Sequence, residues 1–137
     1  MKKLYNGRPT VEYRILTRIL RSKSGVFIPA DFKDIASYPQ ILRALKQLIE
    51  EQKIVRFGYG AYARARINSF NGKLYPDGDN VSNLVGLWNK LNVKWDTSQA
   101  VKDYNSGIST QVPVKRLFVV KNRFTRKLNG MEKLYVR

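Results

Sequence analysis

The chain has 137 residues, 43% of them hydrophobic, which is enough for a packed core in one domain or two very small ones. It carries 26 Lys and Arg against 10 Asp and Glu, a formal charge of +16, and such an excess points to a polyanionic partner, nucleic acid before an anionic membrane surface. There is neither Cys nor His, which excludes disulfides, Cys-ligated metal sites and the commonest general base and metal ligand.

The spacing predicts a first helix from Thr10, its cap, to about Ser22, with Val11, Ile15, Leu16, Ile19 and Leu20 as the apolar stripe. Arg14, Arg18 and Arg21 fall on another face, either solvated or beside phosphates. Val26-Phe27-Ile28 reads as a short extended run, and Pro29 with Asp31 opens a brief helix over Ala30 to Ala36 with Phe32 and Ile35 inward. After a turn at Ser37-Tyr38, Pro39 opens a longer helix to about Gln52, whose stripe is Ile41, Leu42, Leu45, Leu48 and Ile49. Lys53 to Phe57 and Ala61 to Arg66 read as two strands joined by the tight turn Gly58-Tyr59-Gly60.

Asn68 to Asn80 is rich in Asn, Gly, Asp and Pro and reads as a linker or long loop. Val81 to Leu91 has helical spacing at Leu84, Leu87, Trp88 and Leu91. Val93-Lys94-Trp95 is extended, and Thr97 or Ser98 caps a helix to Tyr104 with Ala100, Val101 and Tyr104 inward. Val114 to Lys121 contains a buried strand at Leu117 to Val120. Phe124 to Leu128 and Met131 to Arg137 are further strands, joined by Asn129-Gly130, a type I′ turn signal.

The expected fold class is α+β: a winged helix-turn-helix over residues 1–66, a linker over 67–80, and a small α+β lobe over 81–137 ending in a β-hairpin. In that arrangement the third helix enters the major groove and the hairpin is the wing. The charge divides accordingly. Residues 1–66 carry 14 basic and 5 acidic side chains, residues 67–114 carry 4 and 4, and residues 115–137 carry 8 and 1. Two phosphate-facing surfaces separated by a neutral middle fit that distribution.

Ser37, Tyr38, Gln40, Arg43, Lys46 and Gln47 occupy the turn and exposed side of the reading helix. Gln can bond adenine and Arg guanine, while Ser37 and Lys46 suit phosphates. On the wing, Arg56, Tyr59, Arg64 and Arg66 form a candidate comb for phosphates or the minor groove, the alternative being a strand edge blunted by charge. Tyr62 is expected in the core. Lys115, Arg116, Lys121, Arg123, Arg126 and Lys127 form a second cluster of candidate phosphate contacts. Phe118, Phe124 and Tyr135 are interleaved with it, either as single-strand stacking platforms or as the inner face of a sheet.

No enzyme, cofactor or metal is expected. Asp77-Gly78-Asp79 lacks the further ligands of a calcium loop, and Asp31, Asp34, Asp96 and Asp103 are scattered. Gly58-Tyr59-Gly60 opens a strand and not a helix, unlike a phosphate-binding loop. No apolar run approaches the roughly 18–20 residues that span a bilayer, and the start of the chain lacks the apolar core of a signal peptide. A cytoplasmic, nucleoid-associated protein with no membrane partner is expected.

Residues 35–62, with Ile41-Leu42-Arg43-Ala44-Leu45-Lys46-Gln47-Leu48 and Arg56-Phe57-Gly58-Tyr59-Gly60-Ala61-Tyr62, resemble the N-terminal winged helix of AbiEi-type antitoxins of type IV toxin–antitoxin systems. Ser109-Thr110-Gln111-Val112-Pro113, with Trp95 and a short helix before it, is similar to a motif in bacterial AbiEi-like proteins, so the resemblance covers about residues 10–137. It implies a bacterial, autoregulating transcriptional repressor that binds double-stranded DNA and accompanies a nucleotidyltransferase-like toxin. Residues 38–46 and 57–66 would be its DNA-contacting positions. Full antitoxins of this type have a larger C-terminal domain. An RNA or single-strand binder, or an antitoxin acting mainly on its toxin, are the alternative functions.

Overall fold

In the computed structural model, which describes residues 3–137, the chain opens on a hairpin of β1 (Leu4–Tyr5) and β2 (Arg8–Pro9). Asn6 and Gly7 turn it with φ of 50° and 75°, the left-handed pair a two-residue loop of this kind requires. In α1 (Val11–Arg21) the Thr10 hydroxyl accepts from the Tyr13 amide at 3.2 Å and caps the helix. Ile15, Leu16 and Ile19 are buried. Leu20, expected among them, is 64% exposed, because the stripe centres on Ile15 and Ile19 and Leu20 lies beyond Leu16 at its edge.

Strand β3 (Val26–Phe27) is buried and leads into a 3-10 turn, Pro29–Phe32, shorter than the helix expected over residues 30–36. Asp31 Oδ2 accepts from the Ile28 amide at 3.0 Å, and Phe32 stacks on Phe27 with ring centroids 6.3 Å apart. Helix α2 (Tyr38–Glu50) buries Ile41, Ala44, Leu45 and Leu48, while Leu42 stays at the surface. It stops short of Gln52 because Gln52 takes φ of 62°. The Gln52 amide then donates to the Ile49 carbonyl at 2.9 Å and the Lys53 amide to the Leu48 carbonyl at 3.0 Å, a Schellman ending.

Strands β4 (Ile54–Gly58) and β5 (Ala61–Ile67) form an antiparallel hairpin turned at Tyr59-Gly60, where Gly60 has φ of 64°. β3 joins the other side of β5, pairing Phe27 with Tyr62, so the order is β3-β5-β4. Phe27, Phe32, Ile54 and Tyr62 close onto the inner faces of α1 and α2 as one core.

The stretch 67–80 is not the linker expected of it. Ile67 ends β5, and β6 (Leu74–Pro76) returns antiparallel along it, pairing Ala65 with Pro76 and Ile67 with Leu74. Asn, Gly and Pro mark a tight hairpin as readily as a linker, and period-two apolar residues are too few here to separate the two. The first compact unit therefore runs through Asp79.

The second unit, from Asn80 to Arg137, is built around Trp88. Helix α3 (Asn80–Lys90) buries Leu84, Leu87 and Trp88 and ends on Asn92, at φ of 56°, with the Val93 amide donating to the Trp88 carbonyl at 2.9 Å. Strand β7 (Trp95–Thr97) starts later than expected because Val93 is used in that ending. The Ser98 hydroxyl caps α4 (Gln99–Asn105), accepting from the Val101 amide at 3.4 Å. The inward face expected of α4 is absent: it buries no residue, and Tyr104 is exposed.

Strand β8 (Phe118–Val120) pairs antiparallel with β7 and parallel with β9 (Tyr135–Val136), which follows a 3-10 turn at Glu132–Leu134. Phe124 to Leu128 and Met131 to Leu134 are not the paired strands expected around Asn129-Gly130. Phe124 and Leu128 are buried four apart, as one strand face would have them, but Met131 and Leu134 are buried three apart, which a period-two strand cannot do on one face, and Glu132–Leu134 is a 3-10 turn. Trp88 meets Phe118, Phe124 and Tyr135 edge-on at 5.7, 6.0 and 5.3 Å, and Trp95 at 6.2 Å. Among the described residues the architecture is thus α+β, four α-helices with three small sheets.

Candidate nucleic-acid interface

The N-terminal turn of α2 is assembled by its own side chains. Gln40 Oε1 accepts from the Ser37 amide at 3.1 Å and the Ser37 hydroxyl at 3.0 Å, so the amide oxygen expected to read a base holds the helix start instead. Tyr38 stands 59% exposed at the first helical position. Arg43 and Lys46 are exposed on the outward side. Gln47 Nε2 donates to Glu51 at 3.0 Å, which draws it toward the helix C-terminus. No acidic residue lies in the first turn of α2; Glu50 and Glu51 are at its far end. The positive end of the helix dipole is therefore not countered by a carboxylate, and the cations Arg43 and Lys46 follow in the second and third turns.

The β4–β5 turn comes back to the same end of the helix. Tyr38 and Leu42 of α2 and Arg56, Tyr59, Gly60 and Tyr62 of the hairpin line one cavity of about 200 Å³. Tyr59 is 66% exposed, and the Arg56 guanidinium lies 5.6 Å from its ring centroid while Nε donates to the Gly58 carbonyl at 3.1 Å. Two tyrosines and an arginine thus share one mouth. Tyr62 forms its floor and belongs to the core as expected.

The other two arginines of the hairpin expected to be the wing do not join them. Arg64 turns inward: Nε and Nη2 donate to the Ile19 carbonyl at 3.1 and 2.7 Å, Nη2 also donates to the Ser22 carbonyl, and the guanidinium lies 5.6 Å from the Phe27 ring. It closes the C-terminal turn of α1, where carbonyls lack helical partners. Arg66 is exposed but lies on the stretch of β5 paired with β6, away from the Tyr59-Gly60 turn. The period-two comb is therefore divided between a structural tie and a separate hairpin.

The arginine row of α1 is also drawn into the fold. Arg18 makes a forked pair with Asp34 at 2.6 and 2.8 Å and donates to the Asp31 carbonyl at 2.9 Å. These hydrogen bonds hold the Asp34 carboxyl down to about 2. Arg14 donates to the Ile35 carbonyl at 3.4 Å. A groove of about 570 Å³ runs along this face with Tyr13, Thr17 and Arg21, but two of its three arginines are committed to the turn beyond β3.

In the second unit the basic cluster occupies separate places. Lys115 and Arg116 line a groove of about 580 Å³ with Glu132, Lys133, Tyr135 and Arg137. Arg123 and Arg126 line another of about 300 Å³ with Leu91, Val93 and Phe124. Lys121 lies 3.9 Å from Asp96, which also pairs with Lys102 at 2.9 Å, and Lys127 is exposed. The interleaved Phe118, Phe124 and Tyr135 are buried against Trp88, so no stacking platform is formed by them. Arg137 joins the network, donating to the Phe124 carbonyl at 2.8 Å.

Comparison with known families matches residues 14–129 to the family described as "Family of unknown function (DUF6088)", most of both units. The chain belongs to this family. For this DUF6088 member, comparisons with curated proteins and with solved structures find no match. Among the described residues no helix is long and apolar enough to cross a membrane, and no three acidic side chains cluster as a metal site would.

One feature of this DUF6088 chain lay outside the sequence reading altogether. The β5–β6 hairpin carries Phe70 at its tip, 97% exposed. A lone aromatic between Asn68-Ser69 and Asn71-Gly72 was its signal.

Proposed function

We propose that this protein is a sequence-specific binder of double-stranded DNA that acts as a transcriptional repressor. The observation that carries the reading is the shared mouth of α2 and the β4–β5 turn. Tyr38, at the acid-free start of α2, and the exposed Tyr59–Arg56 hairpin tip face one cavity, and Arg43 and Lys46 are exposed further along the same helix. The order of α1, the 3-10 turn, α2 and the hairpin, with β3 laid on β5, supports reading the first unit as a winged helix-turn-helix. In that reading Tyr38, Arg43 and Lys46 meet the major groove, with Arg43 the base-reading side chain. Arg56 and Tyr59 meet the backbone or the next minor groove. Ser37 and Gln40 act through the helix start, and Arg64 is left out of the contact.

The resemblance of residues 35–62 to AbiEi-type antitoxins adds a role to this reading: an autoregulated operon with a nucleotidyltransferase-like toxin as partner. Fluorescence anisotropy with a duplex from the protein's own upstream region and a scrambled duplex of equal length, over a salt series, tests the binding. The native sequence should bind at least about 10³-fold more tightly. Equal affinities at every salt concentration would overturn the reading.

A further inference from the structure

The β5–β6 hairpin is a built object with an unexplained tip. Its strands pair through Ala65, Arg66 and Ile67 on one side and Leu74, Tyr75 and Pro76 on the other. Five hydrogen bonds organise the turn. The Asn68 amide donates to the Lys73 carbonyl at 2.9 Å and the Gly72 amide to the Asn68 carbonyl at 2.8 Å. Asn68 Oδ1 accepts from the Phe70 amide at 2.8 Å, and Asn71 Oδ1 from the Lys73 amide at 2.9 Å. Asn71 Nδ2 donates to the Tyr75 hydroxyl at 3.1 Å. Gly72, at φ of 69°, allows the left-handed bend. This scaffold holds one phenyl ring 97% in solvent.

The surroundings say what the ring suits. Residues 65–76 contain Arg66 and Lys73, both exposed, and no carboxylate. The unit that bears the hairpin has 15 basic and 7 acidic side chains. The other tip residues, Ser69 and Asn71, are polar and exposed. An exposed aromatic ring on a hydrogen-bonded turn, with a cation before and after it in the hairpin and polar neighbours, matches a nucleobase flanked by phosphates. Ile67, 64% exposed, and Tyr75, 39% exposed, lie on the paired strands and not in the turn, so the turn itself offers a bilayer or an apolar pocket a single ring.

We propose that the β5–β6 hairpin is a second nucleic-acid contact, in which Phe70 stacks on an unpaired or extruded base while Arg66 and Lys73 hold the adjoining phosphates. The seven-residue β5 separates this tip from the Tyr59-Gly60 turn, by roughly 20 Å at about 3.3 Å per residue. The contact is therefore distinct from the α2 mouth. It gives the protein a means of recognising distorted or single-stranded nucleic acid that the duplex-reading face lacks, and it rests on the nucleic-acid reading only for the identity of the polymer.

Phe70→Trp places a reporter at the tip, and wild type supplies the background from Trp88 and Trp95. Stacking on a base quenches indole emission. Titration with oligo(dT), and with a duplex carrying one bulged thymine, should quench Phe70→Trp well beyond wild type, whereas the fully paired duplex should not. Phe70→Ala should weaken binding to the bulged duplex about tenfold and leave the thermal midpoint unchanged. Equal quenching of both proteins with unchanged Phe70→Ala affinity would overturn the proposal. So would a blue shift of Phe70→Trp on phosphatidylcholine–phosphatidylserine vesicles without quenching by oligo(dT). Arg43→Ala separates the two readings. If it lowers paired-duplex affinity while the Phe70 variants change nothing, the stacking contact alone fails. If no duplex sequence is preferred but oligo(dT) quenches Phe70→Trp, the duplex reader fails and the stacking contact stands.

Discussion

Arg43 and Arg64 are the same side chain in two physical situations. Arg43 projects from the outward side of α2, whereas Arg64 spends its guanidinium on the Ile19 and Ser22 carbonyls. Their substitutions should separate cleanly. Arg43→Ala is expected to leave the unfolding midpoint in place and to cost about 1–3 kcal/mol of DNA affinity, with loss of discrimination at one base pair, measured by anisotropy on single-site operator variants. Arg64→Ala should do the reverse. Removing hydrogen bonds from a charged donor to carbonyls at a helix end costs about 1.5–3 kcal/mol, read from urea unfolding. Its effect on DNA affinity at a temperature where both proteins are folded should be small. Tyr59→Ala belongs with Arg43: an exposed ring carries little stability, and its loss should appear in affinity. Sequence periodicity could put Arg64 on a strand, but whether the side chain ran outward or back to the end of α1, 42 to 45 positions away in the chain, depended on packing.

Elements in this protein are defined by their ends more sharply than by their middles. Thr10 was legible as a cap, and Ser98 as one of two candidates with Thr97, because a hydroxyl before an apolar-periodic run has one good use, to accept a helical amide. Thr10→Ala should therefore destabilise the first unit by about 1 kcal/mol in a thermal or urea melt. The C-terminal ends were less legible. Among the described residues α2, α3 and α4 close on a left-handed residue, Gln52, Asn92 and Gly107, whereas α1 ends on an extended Ser22, and Gln52 is of a residue type that does not announce such an ending. The forked Arg18–Asp34 pair ties α1 to the segment after the 3-10 turn, and it gives a pH signature. Because the folded carboxyl is depressed to about 2 from an ordinary 3.8, its stabilisation is present above the ordinary value and is lost as pH falls through about 2. The midpoint difference between wild type and Asp34→Asn should shrink across that window and, the pair being largely exposed, should also shrink with added salt at neutral pH.

Across the whole molecule, charge is shared and chemistry is not. Residues 1–79 carry 15 basic and 7 acidic side chains and residues 80–137 carry 11 and 3, eight net positive charges apiece. A sequence-independent phosphate contribution from the second unit would be felt through the salt dependence. Arg126→Ala should weaken native and scrambled duplexes alike and reduce the slope of log K against log salt by about 0.9. An unchanged slope would remove Arg126 from the contact.

Composition and spacing by themselves determined the basic character, the helical stripes of α1, α2 and α3, the β4–β5 turn at its glycines and the α+β class. Those features follow from local periodicity and backbone preference, which each short window of sequence carries within itself. The tertiary structure alone decided which cations remain available, because a guanidinium is free or spent according to carbonyls and carboxylates far away in the chain. It also turned the 67–80 stretch into a hairpin and buried Phe118, Phe124 and Tyr135 around Trp88 while leaving Phe70 outside. An aromatic residue reads the same in sequence whether it is core or contact, and only the packing around it makes the difference.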